Sequence, residues 1–233
     1  MLILYILLSL LFVLESSTSI SRKAGYNLNN PATGFVFQSS ISLVSRVLVF
    51  MFMPLLGYLS DQNNLYEDSF DILLYYSFVV IFLYILYSYR IYIEKIYSVL
   101  LLRIDTHGSF FIPLKKNKLS GIRFNKLPKF RFYIKFKKLY IIFIISYIPY
   151  YLSWSIIIFF LQEFNDNRGM IIGMSSVLNG INTIVMSLFI DPKLSQLGKY
   201  NKLIQHIYSD LILLRVYSSI FGYLLLVFFI MTY

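Results

Sequence analysis

Charged and hydroxyl side chains recur at helical spacing inside stretches that are otherwise apolar, and this placement is where chemistry could reside. Glu15, Thr18, Ser19 and Arg22 form one such set, and Gln38, Ser39, Ser42, Ser45 and Arg46 another. Ser175, Asn179, Asn182 and Thr183 form a third, and Arg215, Ser218, Ser219 and Gly222 a fourth. Residues three, four and seven apart share a helix face, so each set is a stripe, and stripes that converge enclose a hydrated cavity. Arg46 stands near the middle of its apolar run, where an arginine costs roughly 2.5–3.5 kcal/mol on insertion scales unless something offsets it. One reading pairs it with Glu15 as a structural ion pair between the first two helices. The other joins it with Arg22 and Arg215 as a fork that holds phosphate oxygens through charge-assisted bonds. Glu15 is then a counter-ion, a protonatable coupling group, or simply the interfacial end of its helix. Ser39, Ser40, Ser42, Ser175, Gly173 and Gly180 read first as small residues for close helix packing.

The missing chemistry narrows the reading. There is no cysteine, which removes disulfides, thiolate metal sites and cysteine nucleophiles. His107 and His206 are the only histidines, and neither has a carboxylate pattern around it suited to a metal or to acid–base work. No glycine-rich phosphate loop with Lys and Ser is present, so an ATP-driven pump is not encoded in this chain alone. No catalytic residue, cofactor or metal is expected, and the chain does not read as an enzyme. The tyrosines, phenylalanines and the lone Trp154 read as lipid-facing bulk or interfacial anchors.

Composition identifies the solvent around these stripes. Of 233 residues, 58% are apolar and 14% charged, against roughly 25% charged in a soluble domain. Apolar runs near the ~20 residues that span hydrocarbon give an all-α integral membrane protein of about six transmembrane helices. They fall at about 2–22, 34–60, 72–91, 139–161, 169–190 and 211–231, in one transmembrane domain over 1–233. Leu2–Leu14 is preceded by no Lys or Arg and shows no small-residue cleavage site, so it reads as a retained helix continuing through the polar stretch to Lys23. That polar surface has to face protein or water. Pro149 should kink the fourth span, and Asp191-Pro192 should end the fifth.

The stretch of about 92–138 is too charged to span and reads as an interfacial helix leading into a basic cytoplasmic loop. Ten Lys or Arg and no carboxylate lie between Lys115 and Lys138, matching the whole net charge of +10. Basic residues at 22–23, 95–138 and 193–202 fall on alternate connections. The carboxylates Asp61, Glu67, Asp68 and Asp71, and the pair Glu163 and Asp166 with Arg168, fall on the others. Both termini are then expected outside, with the basic loop touching anionic membrane lipids rather than nucleic acid. Ser39 leads to Asp61 much as Ser175 leads to Asp191, a pattern compatible with two inverted three-helix halves and a site between them.

These residues also carry a family resemblance. Glu15-x-x-Thr18-x-x-x-Arg22-x-x-Gly25, then Ser42-Leu-Val-Ser-Arg46 and Pro54-Leu-Leu-Gly57 up to Asp61, resembles the amino-terminal half of the Amj family of lipid II flippases. Val177-Leu-Asn179-Gly180-Ile-Asn-Thr183-Ile with Ile190-Asp191-Pro192-Lys193 resembles that family's second signature. The resemblance covers about residues 10–61 and 168–195; Met51-Phe-Met53 stands before Pro54 where the family commonly carries a Gln, and the second span lacks the family's Asn. It implies a transporter, alternative to the MurJ type, that flips undecaprenyl-diphosphate-linked sugars to the outer leaflet of a bacterial cytoplasmic membrane. The cargo is lipid II or, in a close relative, a surface-polysaccharide precursor. The candidate substrate-binding residues are Arg46, Arg22, Glu15, Thr18, Ser42, Ser45, Asn179 and Arg215. The expected partners are the lipid-linked glycan precursor, anionic lipids and envelope-synthesis enzymes. Two other readings stay open: a noncatalytic scaffold recruiting those enzymes through the basic loop, and a membrane enzyme acting on polyprenyl phosphates.

Overall fold

The computed structural model describes residues 2–62, 65, 68–113, 133–164 and 167–233. Among these the chain is helical, with no strand. The helices are α1 (Leu2–Asn27), α2 (Pro31–Asp61), α3 (Ser69–Ser88), α4 (Arg90–His107), α5 (Lys137–Glu163) and α6 (Arg168–Val185). A π-helical turn, Met186–Ile190, joins α6 to α7 (Asp191–Leu197), and α8 (Asn201–Thr232) completes the order. Six helices are long and apolar enough to cross a bilayer: α1, α2, α3, α5, α6 with its extension through Leu197, and α8. The chain is therefore an all-α, multi-pass membrane protein. The stretch expected as an interfacial helix is helical over Arg90–His107 (α4), whereas Glu67, Asp166 and most of the Lys115–Lys138 stretch lie outside the described residues.

Local chemistry explains where several helices begin and end. The polar stretch after Leu14 stays helical because its hydroxyls bond back to their own helix: Ser17 Oγ donates to the Leu14 carbonyl at 2.6 Å and Ser21 Oγ to that of Thr18 at 2.8 Å. α1 therefore runs to Asn27, past the expected end near residue 22. Asn29 takes a positive φ of 55°, and the Asn30 side chain accepts from the Thr33 backbone N–H at 3.3 Å, so α2 starts at once with Pro31 in its first turn.

The Asp191-Pro192 expectation requires correction. Helical structure does not stop there, because the wider π turn at Met186–Ile190 precedes Asp191 and lets a new helix start in phase with Pro192 in its first turn. A proline there lacks only an N–H that has no intrahelical partner anyway. α5 likewise runs unbroken through Pro149.

Packing divides the six spans into two kinds. α1 and α5 are the inner pair, each with 61% of its most apolar window buried, whereas α2 and extended α6 have 22% and 17% buried. α1 packs on α2, α3 and α8; α5 packs on α6 and α8, and only slightly on α3. The order recurs in both halves, since the first helix of each set carries the second and third. α2 and α6 lean on α1 and α5 and hardly touch one another.

The α1–α2 contact is the tightest. A Cβ added at Gly25 would lie 2.8 Å from the Cα of Gly34, and one added at Gly34 would lie 3.1 Å from the Cα of Gly25. Only hydrogen at both positions permits this backbone approach. Gly173 and Gly180, by contrast, face open space, which corrects the expectation that they serve close packing. Gly25→Ala is expected to cost about 1–3 kcal/mol through overpacking, read as a lowered thermal midpoint of the purified protein in detergent. Gly173→Ala should hold or raise that midpoint, since alanine is the better helix former.

Candidate functional site

Residues from all four polar stripes meet, although of the fourth only Arg215 does so, Ser218 and Ser219 bonding to backbone carbonyls and Gly222 packing against Tyr76. α1, α2, α6 and α8 enclose a partly open cavity of about 370 Å³, and six of the candidate residues line it: Glu15, Thr18, Arg22, Ser42, Arg46 and Arg215. A second cavity, of about 290 Å³, lies toward the opposite end of the bundle from Arg22 and takes Asn179 into its wall. Glu15, Asn182 and Thr183 line both, so the two form one polar track along the face between α2 and α6. Ser45 lies outside either lining and is buried, its hydroxyl directed to the Ile41 and Ser42 carbonyls at 3.3 and 3.1 Å.

The three arginines occupy different environments. Arg22 Nη1 donates to Asp191 Oδ1 at 2.5 Å while its Nε donates to Gln38 Oε1, so one guanidinium ties α1 to α2 and to the start of α7. Arg215 is buried; its Nη1 donates to the Glu15 backbone carbonyl at 2.7 Å and its guanidinium lies 4.6 Å from the Tyr147 ring centroid. Arg46 is exposed, lines the first cavity, and forms no ion pair among the described residues. The structural pairing of Arg46 with Glu15 is thus not formed. The Glu15 carboxylate instead accepts from the Tyr150 hydroxyl of α5. Thr18, the remaining α1 candidate, donates to the Glu15 carbonyl at 2.6 Å, which leaves its oxygen lone pairs toward the cavity.

Several lining residues carried no usable signal in the sequence. Tyr147, Tyr150 and Tyr208 are three of 21 tyrosines, and nothing in their spacing separates them from those that face lipid. Asp191 marked a helix end in the sequence and proves to be the partner of Arg22. Trp154, read as a lipid-facing or interfacial residue, is buried against Phe52, with ring centroids 4.7 Å apart, and lines the second cavity. Ser39 is exposed and Ser40 half-buried, and each bonds to its own helix.

Among the described residues, polar ties hold α2 and α6 at their ends and not between. At one end Arg22 joins Gln38 of α2 to Asp191, which follows α6. At the other, Arg168 Nη1 at the start of α6 lies 2.8 Å from Asp61 Oδ1 at the end of α2. Between them, Arg46, Thr183 and Ser187 stand exposed on the two sides of the cavity mouth. Beside the Arg22 end, the buried pair Lys23–Glu94, at 2.7 Å, with Asn27 also donating to Glu94, fixes α4 on α1. Such an arrangement can hold an anionic group in a polar crevice while an attached chain lies in the bilayer.

No family model matches the chain, and no curated protein or solved structure matches it. Function is therefore argued from the geometry of the track. A wet crevice makes a direct prediction, helped by the absence of native cysteine. Single cysteines at Ser42, Thr183 and Ser187 should react readily with a membrane-impermeant thiol reagent, since the thiolate forms only in contact with water. Cysteines at Leu43, Ile184 and Leu188, exposed outside the cavity lining, should stay unmodified; equal labelling of both sets would remove the crevice.

Proposed function

We propose that this protein is a flippase that carries an undecaprenyl-diphosphate-linked cell-envelope precursor, lipid II or a related lipid-linked sugar, across the bacterial cytoplasmic membrane. The observation that carries this reading is Arg46: an exposed arginine, without an ion pair among the described residues, at the mouth of a polar cavity between two spans that hardly touch. Placing a bare guanidinium in a membrane span is unfavourable by several kcal/mol unless water or an anion meets it. A diphosphate supplies the matching charge and the oxygen geometry for bidentate bonds.

The rest of the site fits the same cargo. The charged group is the part of such a lipid that hydrocarbon most strongly rejects, whereas its prenyl tail dissolves in the bilayer. A crevice open along its side lets the first travel while the second stays outside. Arg22 and Arg215 are already engaged by Asp191 and by the Glu15 carbonyl, so they shape the field around the track and leave Arg46 to meet the phosphate.

Reconstitution tests this. In liposomes containing labelled undecaprenyl-diphosphate-linked sugar, the purified chain should translocate the lipid unaided. Arg46→Ala should reduce the rate by about tenfold or more, consistent with the loss of a charge-assisted bond of roughly 1.5–3 kcal/mol, and Arg46→Lys should retain part of it. Parental transport by a normally folded Arg46→Ala protein would overturn the role given to Arg46. A wild-type protein that moves no lipid would overturn the flippase reading itself.

A further inference from the structure

The second cavity has a chemistry different from the first. Its wall combines the amides of Asn179 and Asn182, the hydroxyls of Ser175, Ser176 and Thr183, and the rings of Tyr150 and Trp154 with the aliphatic side chains of Leu11, Val49 and Met53. Apart from Glu15, which it shares with the first cavity and which is held by Tyr150, it carries no charged residue. Its volume of about 290 Å³ stands at the lower end of small-molecule sites, roughly 300–1,000 Å³.

One atom in it points to a ligand. Asn182 is 7% exposed, lines both cavities, and its Oδ1 is buried with no hydrogen-bond partner. A buried amide oxygen left unpaired is destabilising, and native proteins keep few of them. Asn179, three residues earlier on the same helix, is by contrast engaged, its Oδ1 accepting from Ser153 at 3.4 Å. What Asn182 lacks is a donor, and hydroxyl or acetamido groups on a neutral ring supply one.

We infer that the second cavity is a subsite for the first sugar of the lipid-linked cargo, with Asn182 Oδ1 accepting from a sugar hydroxyl or amide N–H and Trp154 and Tyr150 giving aromatic surface to the ring. This inference rests on the flippase reading and adds to it a choice of cargo. The diphosphate meets Arg46 in the first cavity, and the sugar joined to it extends past Glu15 into the second. A wall with no cationic residue that offers hydrogen bonds and aromatic faces suits a hexosamine better than a second anionic group. An undecaprenyl carrier without sugar then binds through the diphosphate alone and loses the second set of contacts.

Trp154 makes the test direct, because it is the only tryptophan in the chain and sits in the cavity wall. Its fluorescence, in purified protein in lipid nanodiscs, is titrated with undecaprenyl diphosphate and with undecaprenyl diphosphate bearing one N-acetylhexosamine. The sugar-bearing lipid should bind about tenfold more tightly and shift the Trp154 emission, and Asn182→Leu should erase that tenfold difference, so that the variant binds the two lipids equally. Without ligand, Asn182→Leu should hold or raise the thermal midpoint, because it removes an unpaired buried acceptor. Asn179→Leu gives a second variant of the same wall, expected to narrow the preference for the sugar-bearing lipid. Equal binding of the two lipids by wild type overturns the sugar subsite and leaves the diphosphate reading standing. A midpoint lowered by Asn182→Leu with the sugar preference intact makes Asn182 structural and overturns its role as acceptor. Binding of neither lipid overturns both readings.

Discussion

Hydrocarbon offers no hydrogen bond, so every polar group carried into the bilayer has to find its partner inside the protein or in a water-filled space. Here that constraint falls most heavily on the second half of α1, where Ser16, Ser17, Thr18, Ser19, Ser21, Arg22 and Lys23 follow one another and all are buried. Such a stretch cannot face lipid, and the other spans are arranged around it. α5 brings Tyr151 to Ser16 at 3.0 Å and Tyr150 to Glu15; α4 brings Glu94 to Lys23; α8 brings Arg215 to the Glu15 carbonyl. α2 comes close enough at Gly25 and Gly34 to seal the remaining side. The apolar part of α1 supports the same position, with Leu4, Tyr5, Leu8, Leu11 and Phe12 in the main core.

The polar track between α2 and α6 follows from this packing. α1 and α5 are committed to the interior, so the helices that follow each of them lie at the periphery, fixed to their own partner and joined to each other through charged or amide groups at the ends. The Arg22–Asp191 pair is partly enclosed, with side-chain exposures of 10% and 35%, whereas Arg168–Asp61 stands at 25% and 75%. Exposed pairs contribute little to stability, typically 0–1 kcal/mol, and exchange readily with water. The ion pairs at the two ends of the track thus differ in how far solvent screens them.

Within that frame the three arginines show how one residue type serves different ends. A guanidinium presents several donors in a plane; Arg22 directs its Nε and Nη1 at Gln38 and Asp191, and Arg215 directs its Nη1 at the Glu15 carbonyl, which makes both part of the scaffold, although Arg215 Nε is buried without a partner among the described residues. Arg46 is exposed at the first cavity and forms no ion pair among the described residues. Its position on α2, the span whose lipid-facing side is broad, places that charge at the entrance rather than at the back wall.

Much of this was legible in the sequence because it is local. Apolar runs of the right length gave the six spans, and spacing of three, four and seven grouped Glu15, Thr18 and Arg22, Ser42 and Arg46, and Asn182 and Thr183 onto common faces, which do line the cavities. Helix ends were less accessible, since hydroxyl back-bonding prolonged α1 and a π turn carried the chain past Asp191, and both depend on backbone geometry that residue type only permits. Which acceptor each charge takes was not local at all. Tyr150, 135 residues from Glu15, holds the carboxylate that Arg46 seemed fitted to meet, and Asp191, 169 residues from Arg22, holds that guanidinium. The sequence by itself determined that charge and amide groups would enter the membrane on particular helix faces, because periodicity is a property of the chain. Only the tertiary structure decided which of them are consumed by one another and which stay open to the cavity, because that depends on distances between segments that the order of residues does not contain.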